Sequence, residues 1–201
     1  VDVAAAATAY LFHLGYVALL NSDVQMGRRV AVIGLGVLGV GTVASARLAG
    51  APVAGFSGSA GLRRLAERFG AGSTHDKADP AAAASYVAAT GQGGADVVVV
   101  TGDAWSDWQL ALEVVRPRGI VSIVGFPGRR EPNPPFNPLA SQYVYDKQLR
   151  IQSSGWTPAR SHAADRATEL KRDNLTFLVD RIADGSLPAR LLISSEHRWD
   201  E

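Results

Sequence analysis

Three glycines stand at the spacing G-x-G-x-x-G in the segment Val30–Gly39, which reads V-A-V-I-G-L-G-V-L-G. The apolar residues before them are typical of a buried strand, and the small residues of 40–49 are compatible with a helix. Glycine at such a turn lets the backbone approach a pyrophosphate and lets the helix pack closely on the strand. The simpler alternative is an ordinary glycine-rich turn. We predict a dinucleotide phosphate site at Gly34, Gly36, Val37, Leu38 and Gly39.

The residues after the next predicted strand bear on which dinucleotide would bind. Sites that prefer NAD end this strand with Asp or Glu, which binds the ribose 2′-hydroxyl. Here Ser57 stands at that position, with Ser59 two residues further on. A serine can donate to a 2′-phosphate that a carboxylate would repel, and Arg63 and Arg64 follow within reach of a short turn. The pattern favours NADP(H) over NAD(H), although both arginines could instead coat a solvated helix face.

Composition limits the other function classes. A chain of 201 residues, 47% of them hydrophobic, is long enough for one domain with a substantial core. The net charge of +1, with scattered Lys and Arg, argues against a nucleic-acid partner. The sequence contains no cysteine, which excludes disulfides and thiolate zinc ligands within the chain and fits a cytoplasmic location.

One apolar segment near the start has the length of a membrane span. Val3–Leu20 carries no Asp, Glu, Lys or Arg. It is nevertheless rich in alanine and interrupted by Thr8, His13 and Gly15, and a predicted strand follows only ten residues later. We therefore expect a helix buried beside a sheet and no membrane partner.

Strand and helix signals alternate along the chain, which is typical of a parallel sheet covered by helices on both faces. The pattern predicts an α/β fold with a doubly wound, mostly parallel six-stranded sheet. The predicted strands are Val30–Ile33, Val53–Phe56, Ser73–His75, 95–102, Ile120–Phe126 and Leu149–Ser153. The predicted helices include 62–69, 80–90, Ser106–Arg116 and Asp165–Asp184, with a turn at 117–119 and irregular chain at 132–138.

Several segments in register resemble the cofactor domain of the medium-chain, zinc-type alcohol dehydrogenase superfamily. They read V-A-V-I-G-L-G-V-L-G, R-F-G-A, G-A-D-V-V-V, V-R-P-R-G-I-V-S-I-V-G-F-P and K-Q-L-R-I-Q-S-S-G. The resemblance implies a single dinucleotide-binding domain: a leading helix in 1–27, a Rossmann core in 28–153, and a C-terminal helix in 154–201 with the start of a return to a second domain.

In that family a separate GroES-like barrel domain supplies the catalytic zinc ligands or the proton donor. Zinc is therefore expected only in a domain missing from these residues, and no catalytic residue is assigned here. Both ends of the sequence look cut from something longer, so we expect either a fragment that is inactive alone or a shortened homologue.

The resemblance also implies roles for residues near the ends of two later strands. Thr101 and Gly102 would flank the adenosine half of the cofactor, while Gly125 and Phe126 would contact the nicotinamide carboxamide. Simple strand termination is the alternative for Thr101 and Phe126.

Catalytic candidates are few. His13, or Thr8 in a different local alignment, would face the nicotinamide by resemblance, but a buried histidine in the core is the favoured interpretation. We interpret Asp103 and Asp107 as residues at the start of a helix.

The leading functional hypothesis is the cofactor domain of an NAD(P)-dependent alcohol or sugar-type oxidoreductase with a small-molecule substrate. The second is a non-catalytic dinucleotide-binding or dimerisation module, which would form a homodimer through the edge strand Leu149–Ser153. A methyltransferase that uses S-adenosylmethionine is disfavoured, because Ser57 replaces the acid that such enzymes need for the ribose.

Overall fold

A six-stranded sheet forms the centre of the molecule, in the strand order β3-β2-β1-β4-β5-β6 with all neighbours parallel. The computed structural model describes residues 2–91, 93–127, 133–155 and 162–197, and side chains within the last range from residue 171 onward. The strands are β1 Val30–Ile33, β2 Val53–Phe56, β3 Ser73–His75, β4 Ala95–Val100, β5 Val115–Ile123 and β6 Arg150–Ser153. The predicted doubly wound fold is confirmed, and the sheet is parallel throughout.

Helices cover both faces of this sheet. They are α1 Val3–Ala7, α2 Ala9–Asn21, α3 Val37–Leu48, α4 Ala60–Arg68, α5 Ala82–Thr90, α6 Trp105–Val114, α7 Ser141–Val144 and α8 His162–Ala183, followed by a 3₁₀ turn at Ala189–Leu192. Most observed boundaries lie within three residues of the predicted ones.

The central strand β1 shows how the sequence pattern produces two cores. Its residues are all buried, but Val30 and Val32 pack in one apolar cluster while Ala31 and Ile33 pack in another, because successive side chains point to opposite faces. The first cluster includes residues of α2, α3, α4 and α8, and the second includes residues of α5 and α6. The side chains on both faces of the strand are therefore buried.

The predicted leading helix is broken in two. Thr8 separates α1 from α2, and its hydroxyl donates to the carbonyl oxygen of Ala5 at 2.7 Å. A Cβ at Gly15 would lie 2.5 Å from the backbone nitrogen of Thr42, so glycine permits the close contact between α2 and α3. The described part of the chain has no helix that is both long and apolar enough to cross a membrane.

The prediction for the fifth strand is wrong at both ends. The strand begins at Val115, which pairs with Ala95, and the register then jumps so that Ile120 pairs with Val97. The predicted turn at 117–119 is therefore an irregularity inside β5, where Arg118 has a φ of +61°. At the other end β5 stops at Ile123, so Gly125 and Phe126 follow the strand instead of ending it.

Candidate functional site at the carboxyl edge of the sheet

The glycine turn after β1 is held tightly. Gly34 has a φ of +90°, and its N–H donates to the carbonyl oxygen of Phe56 at 3.0 Å. A Cβ added at Gly39 would overlap the carbonyl oxygen of Gly34, so a side chain there would force the helix away from the strand. Gly34 and Gly39 thus perform the turn and packing roles predicted from their spacing.

Gly36 faces a different environment. It is the N-cap of α3, and a Cβ there would meet no atom within 4 Å. Gly36 and Val37 are exposed and Leu38 is half-buried, while no side chain caps the helix in the described structure. The N-terminus of α3, with the positive end of the helix dipole, therefore borders open space that an anion could occupy.

The residues after β4 and β5 lie against this turn. The hydroxyl of Thr101 donates to the carbonyl oxygen of Gly34 at 2.6 Å. A Cβ at Gly34 would lie 2.8 Å from the backbone nitrogen of Gly102, and one at Gly125 would overlap the carbonyl oxygen of Gly102. Phe126, one residue further, is 62% exposed. The structure thus brings together the residues predicted at the ends of three strands.

The predicted ribose position is also at this edge, beside β2. Ser57 is buried, and its hydroxyl accepts from the N–H of Ser59 at 3.2 Å. The Ser59 hydroxyl in turn accepts from the N–H of Leu62 and caps α4, which gives Ser59 a structural role. Of the two predicted arginines, Arg64 is exposed.

Arg63 makes specific contacts and does not only coat a solvated face of α4. Its Nη1 donates to the carbonyl oxygen of Ser57 at 2.6 Å and lies 3.1 Å from Oδ2 of Asp76, the residue after β3. One guanidinium group is therefore fixed beside the end of β2 by a carbonyl and a carboxylate.

The residue that follows Asp76 forms a second ion pair. Lys77 lies 2.6 Å from Oδ1 of Asp107, whose side chain is 4% exposed. The other oxygen of Asp107 lies where a Cβ of Gly102 would be. Asp107 is in the first turn of α6, as predicted, but the N-cap is Ala104, and the ion pair was not foreseen. Asp76 and Lys77 are the residues that sequence reasoning missed; their position after the third strand was the available signal.

His13 is buried in α2, as favoured from the sequence. Burial lowers the pKa of its imidazole below the usual value, and the nearby charge of Lys171 lowers it further. Thr8 is buried as well, with its hydroxyl bonded within the helix turn. A role toward nicotinamide remains a prediction for either residue.

The amino edge of the same sheet has a different character. Asp96 accepts from the backbone N–H of Arg29 at 2.8 Å and from Nε of Arg116 at 2.7 Å, with Arg28 at 4.0 Å. Burial alone would raise the pKa of Asp96, but these donors and charges hold it below its usual value. Beside them lies a cavity of about 590 Å³, bordered by Arg29 and Arg47.

The described residues contain no group of three or more His, Asp or Glu side chains that could hold a metal ion.

Comparison with known proteins identifies related sequences and folds. A protein-family model described as zinc-binding dehydrogenase matches residues 37–170. A comparison with curated proteins found no match. Among solved structures, the alcohol dehydrogenase from Thermus sp. ATN1 is 25% identical, with a TM-score of 0.73 over 92% of this chain and 48% of its own.

Two further structures share the fold at lower identity. L-idonate 5-dehydrogenase from Escherichia coli is 20% identical, with a TM-score of 0.76 over 96% of this chain and 49% of its own. A putative zinc-binding dehydrogenase from Sinorhizobium meliloti, solved bound to NADP, is 23% identical, with a TM-score of 0.70 over 93% of this chain and 55% of its own. The chain thus spans about half the length of the structures it matches.

Proposed function

The chain belongs to the zinc-binding dehydrogenase family, and we propose that it is the nicotinamide-dinucleotide-binding domain of an oxidoreductase acting on an alcohol or sugar-type substrate. The observation that carries the proposal is the meeting of Gly34, Gly102 and Gly125 at the carboxyl edge, beside the open N-terminus of α3. Ligands of open α/β sheets bind at this edge, in the crevice where the strand order changes direction, which here lies between β1 and β4.

Each half of the dinucleotide has residues suited to it. The amides that begin α3 would bind the pyrophosphate, because their N–H groups and the helix dipole favour negative charge. Ser57 would contact the adenosine ribose, and Thr101 and Gly102 would border the adenosine. Gly125 would offer backbone groups to the nicotinamide carboxamide, with Phe126 beside it.

The bound cofactor would supply a hydride at nicotinamide C4, or accept one there. The residues of this chain would hold and orient it. Groups that bind the substrate are proposed to lie in the other half of the whole protein, together with any zinc. The alcohol and L-idonate dehydrogenases with the same fold support the substrate class. The cysteine-free sequence supports a cytoplasmic setting.

Calorimetric titration of the 201-residue chain with NADPH and NADH tests the proposal. We expect saturable binding of at least one dinucleotide at a single site. A Gly36→Ala variant tests whether binding occurs at this site, because its Cβ would enter the open space proposed for the pyrophosphate and should weaken binding. If neither dinucleotide binds, the proposal is wrong.

We further propose a preference for NADP(H) over NAD(H). Ser57 carries no charge that would repel a 2′-phosphate, and Arg63 and Arg64 lie on the adjoining helix α4. The relative solved with NADP supports this choice.

Replacing Ser57 with Asp should weaken NADPH binding by about 1–3 kcal/mol, the range for hydrogen bonds that involve a charged group. NADH binding should hold or improve, because the new carboxylate can accept from the 2′-hydroxyl. Titration of both cofactors measures the difference. An equal change in the two affinities would mean that Ser57 lies away from the ribose.

A second candidate role is dimerisation through β6. This strand lies at the end of the strand order and pairs with β5 on one side, so its other side can pair with a second copy. Sedimentation at rising concentration should show a dimer of the 21.1 kDa chain. A monomer at every concentration would rule this role out for the 201-residue chain.

A further inference from the structure

We infer that Asp76 is a cofactor-specificity residue, which limits 2′-phosphate recognition by neutralising Arg63. This inference rests on the proposed function, because it concerns the choice between two dinucleotides at the same site.

The position of Asp76 follows from the pairing of two strands. β2 and β3 are parallel, with Phe56 in register with His75. The next residues along the two strands are Ser57 and Asp76, so they emerge side by side at the carboxyl edge. The N–H of Ser57 continues the pairing by donating to the carbonyl oxygen of His75 at 3.1 Å. β3 thus brings to the ribose position the carboxylate that β2 lacks.

Arg63 connects these two positions. Its Nη1 donates to the carbonyl oxygen of Ser57 at 2.6 Å and lies 3.1 Å from Oδ2 of Asp76. The Arg63 side chain is 20% exposed, and that of Asp76 is 40% exposed. The guanidinium group is therefore held beside the position proposed for the 2′-phosphate, and its charge is already paired with Asp76.

The charge arrangement distinguishes the two cofactors. A 2′-phosphate bound near Ser57 and Arg63 would gain from the guanidinium group and lose by repulsion from Asp76. The 2′-hydroxyl of NAD(H) carries no charge, so Asp76 would not repel it and could accept a hydrogen bond from it. Asp76 therefore reduces NADP(H) binding selectively, and the uncharged Ser57 does not act alone in setting the preference.

The test replaces Asp76 with Asn. Asp76 Oδ1 accepts from the N–H of Ala78 at 3.0 Å, and the amide oxygen of Asn can keep this bond, so the loop should keep its shape. We expect the ratio of NADPH to NADH affinity, measured calorimetrically on the 201-residue chain, to rise about tenfold, as for one gained hydrogen bond to a charged group.

Two further variants test whether the effect of D76N acts through Arg63 or results from the loss of any negative charge in the loop. Asp79→Asn removes the same charge from the same loop, where Asp79 caps the chain at the N–H of Ala81, and it should leave the ratio within about twofold, as expected for a screened exposed charge. In the double variant D76N/R63Q the gain should disappear, because it acts through the freed guanidinium group.

The outcomes are distinct. A rise in the ratio with D76N that is absent from both D79N and D76N/R63Q supports the inference. An unchanged or lower ratio with D76N, or an equal rise in either other variant, overturns it while leaving the proposed function intact. If the parent chain binds neither dinucleotide, the proposed function fails and the inference fails with it.

Discussion

The carboxyl and amino edges of the sheet differ in how their charged and polar groups are paired. At the carboxyl edge, the N-terminus of α3 carries no side-chain cap, and the space beside Gly36 is open. At the amino edge, Asp96 accepts from the backbone N–H of Arg29 and from Nε of Arg116, with Arg28 at 4.0 Å. The guanidinium group of Arg29 donates to the carbonyl oxygen of Thr90, at the end of α5, at 3.4 Å.

This difference in charge pairing bears on where a dinucleotide would bind. The cavity of about 590 Å³ lies beside the amino edge, where the arginines match the negative ends of α3 and α5. At the carboxyl edge, the described structure shows no side-chain cap on α3. Glycines stand there at 34, 36 and 39, where the backbone would approach a dinucleotide. A dinucleotide site is therefore expected at the carboxyl edge.

The largest expected effect comes from Gly39→Ala at the carboxyl edge. The new Cβ would overlap the carbonyl oxygen of Gly34, so the free energy of unfolding should fall by about 3 kcal/mol, as for overpacking. Gly50→Ala beside the amino edge is the matched variant, because its Cβ would meet no atom within 4 Å, although its φ is +72°. It should lose about 1 kcal/mol. Denaturant unfolding measures both, and equal losses would contradict the comparison.

A smaller effect, on binding, is expected from Gly36→Ala. Its Cβ enters the open space before α3, which the pyrophosphate would fill, so dinucleotide affinity should fall about tenfold, or 1.4 kcal/mol. Stability should change by only a few tenths of a kcal/mol for this N-cap replacement. Calorimetry and thermal unfolding measure the two quantities; unchanged affinity would place the phosphates elsewhere.

The smallest effect is expected from Asp96→Asn at the amino edge. It should lower stability at neutral pH by about 1 kcal/mol through the loss of charged hydrogen bonds, with dinucleotide affinity unchanged. The pKa of Asp96 is depressed in the folded state, so this contribution is present above the unfolded pKa of about 3.9 and is lost as pH falls through the folded pKa. Unfolding curves of both proteins should therefore converge below about pH 4. A difference that does not begin to shrink as the pH falls below about 4 would show that the charge of Asp96 is not the cause.

Much of the fold could be predicted because local patterns determine it. The apolar runs of β1 and β4 match strands buried on both faces, and the spacing of Gly34 and Gly39 reports a turn whose geometry only glycine allows. The predicted boundaries of β1, β2 and β3 are confirmed residue for residue.

The errors arise where distant pairing overrides local signals. Pro117 and Gly119 are turn residues, but the pairing of Val115 with Ala95 extends β5 past them. The Arg63–Asp76 ion pair could not be predicted either, because no local sequence pattern shows that β3 lies beside β2. The glycines of the candidate site were therefore predictable, but the charges around Ser57 were not.

The most direct measurement is an amide NMR titration of the ¹⁵N-labelled 201-residue chain with NADPH and with NADH. We expect shifts concentrated at Gly34, Gly36, Gly102 and Gly125. The amides at the amino edge, at Gly50, Gly70 and Gly72, should stay in place. Shifts concentrated at the amino-edge glycines, or no shifts with either dinucleotide, would contradict the assignment of the site to the carboxyl edge.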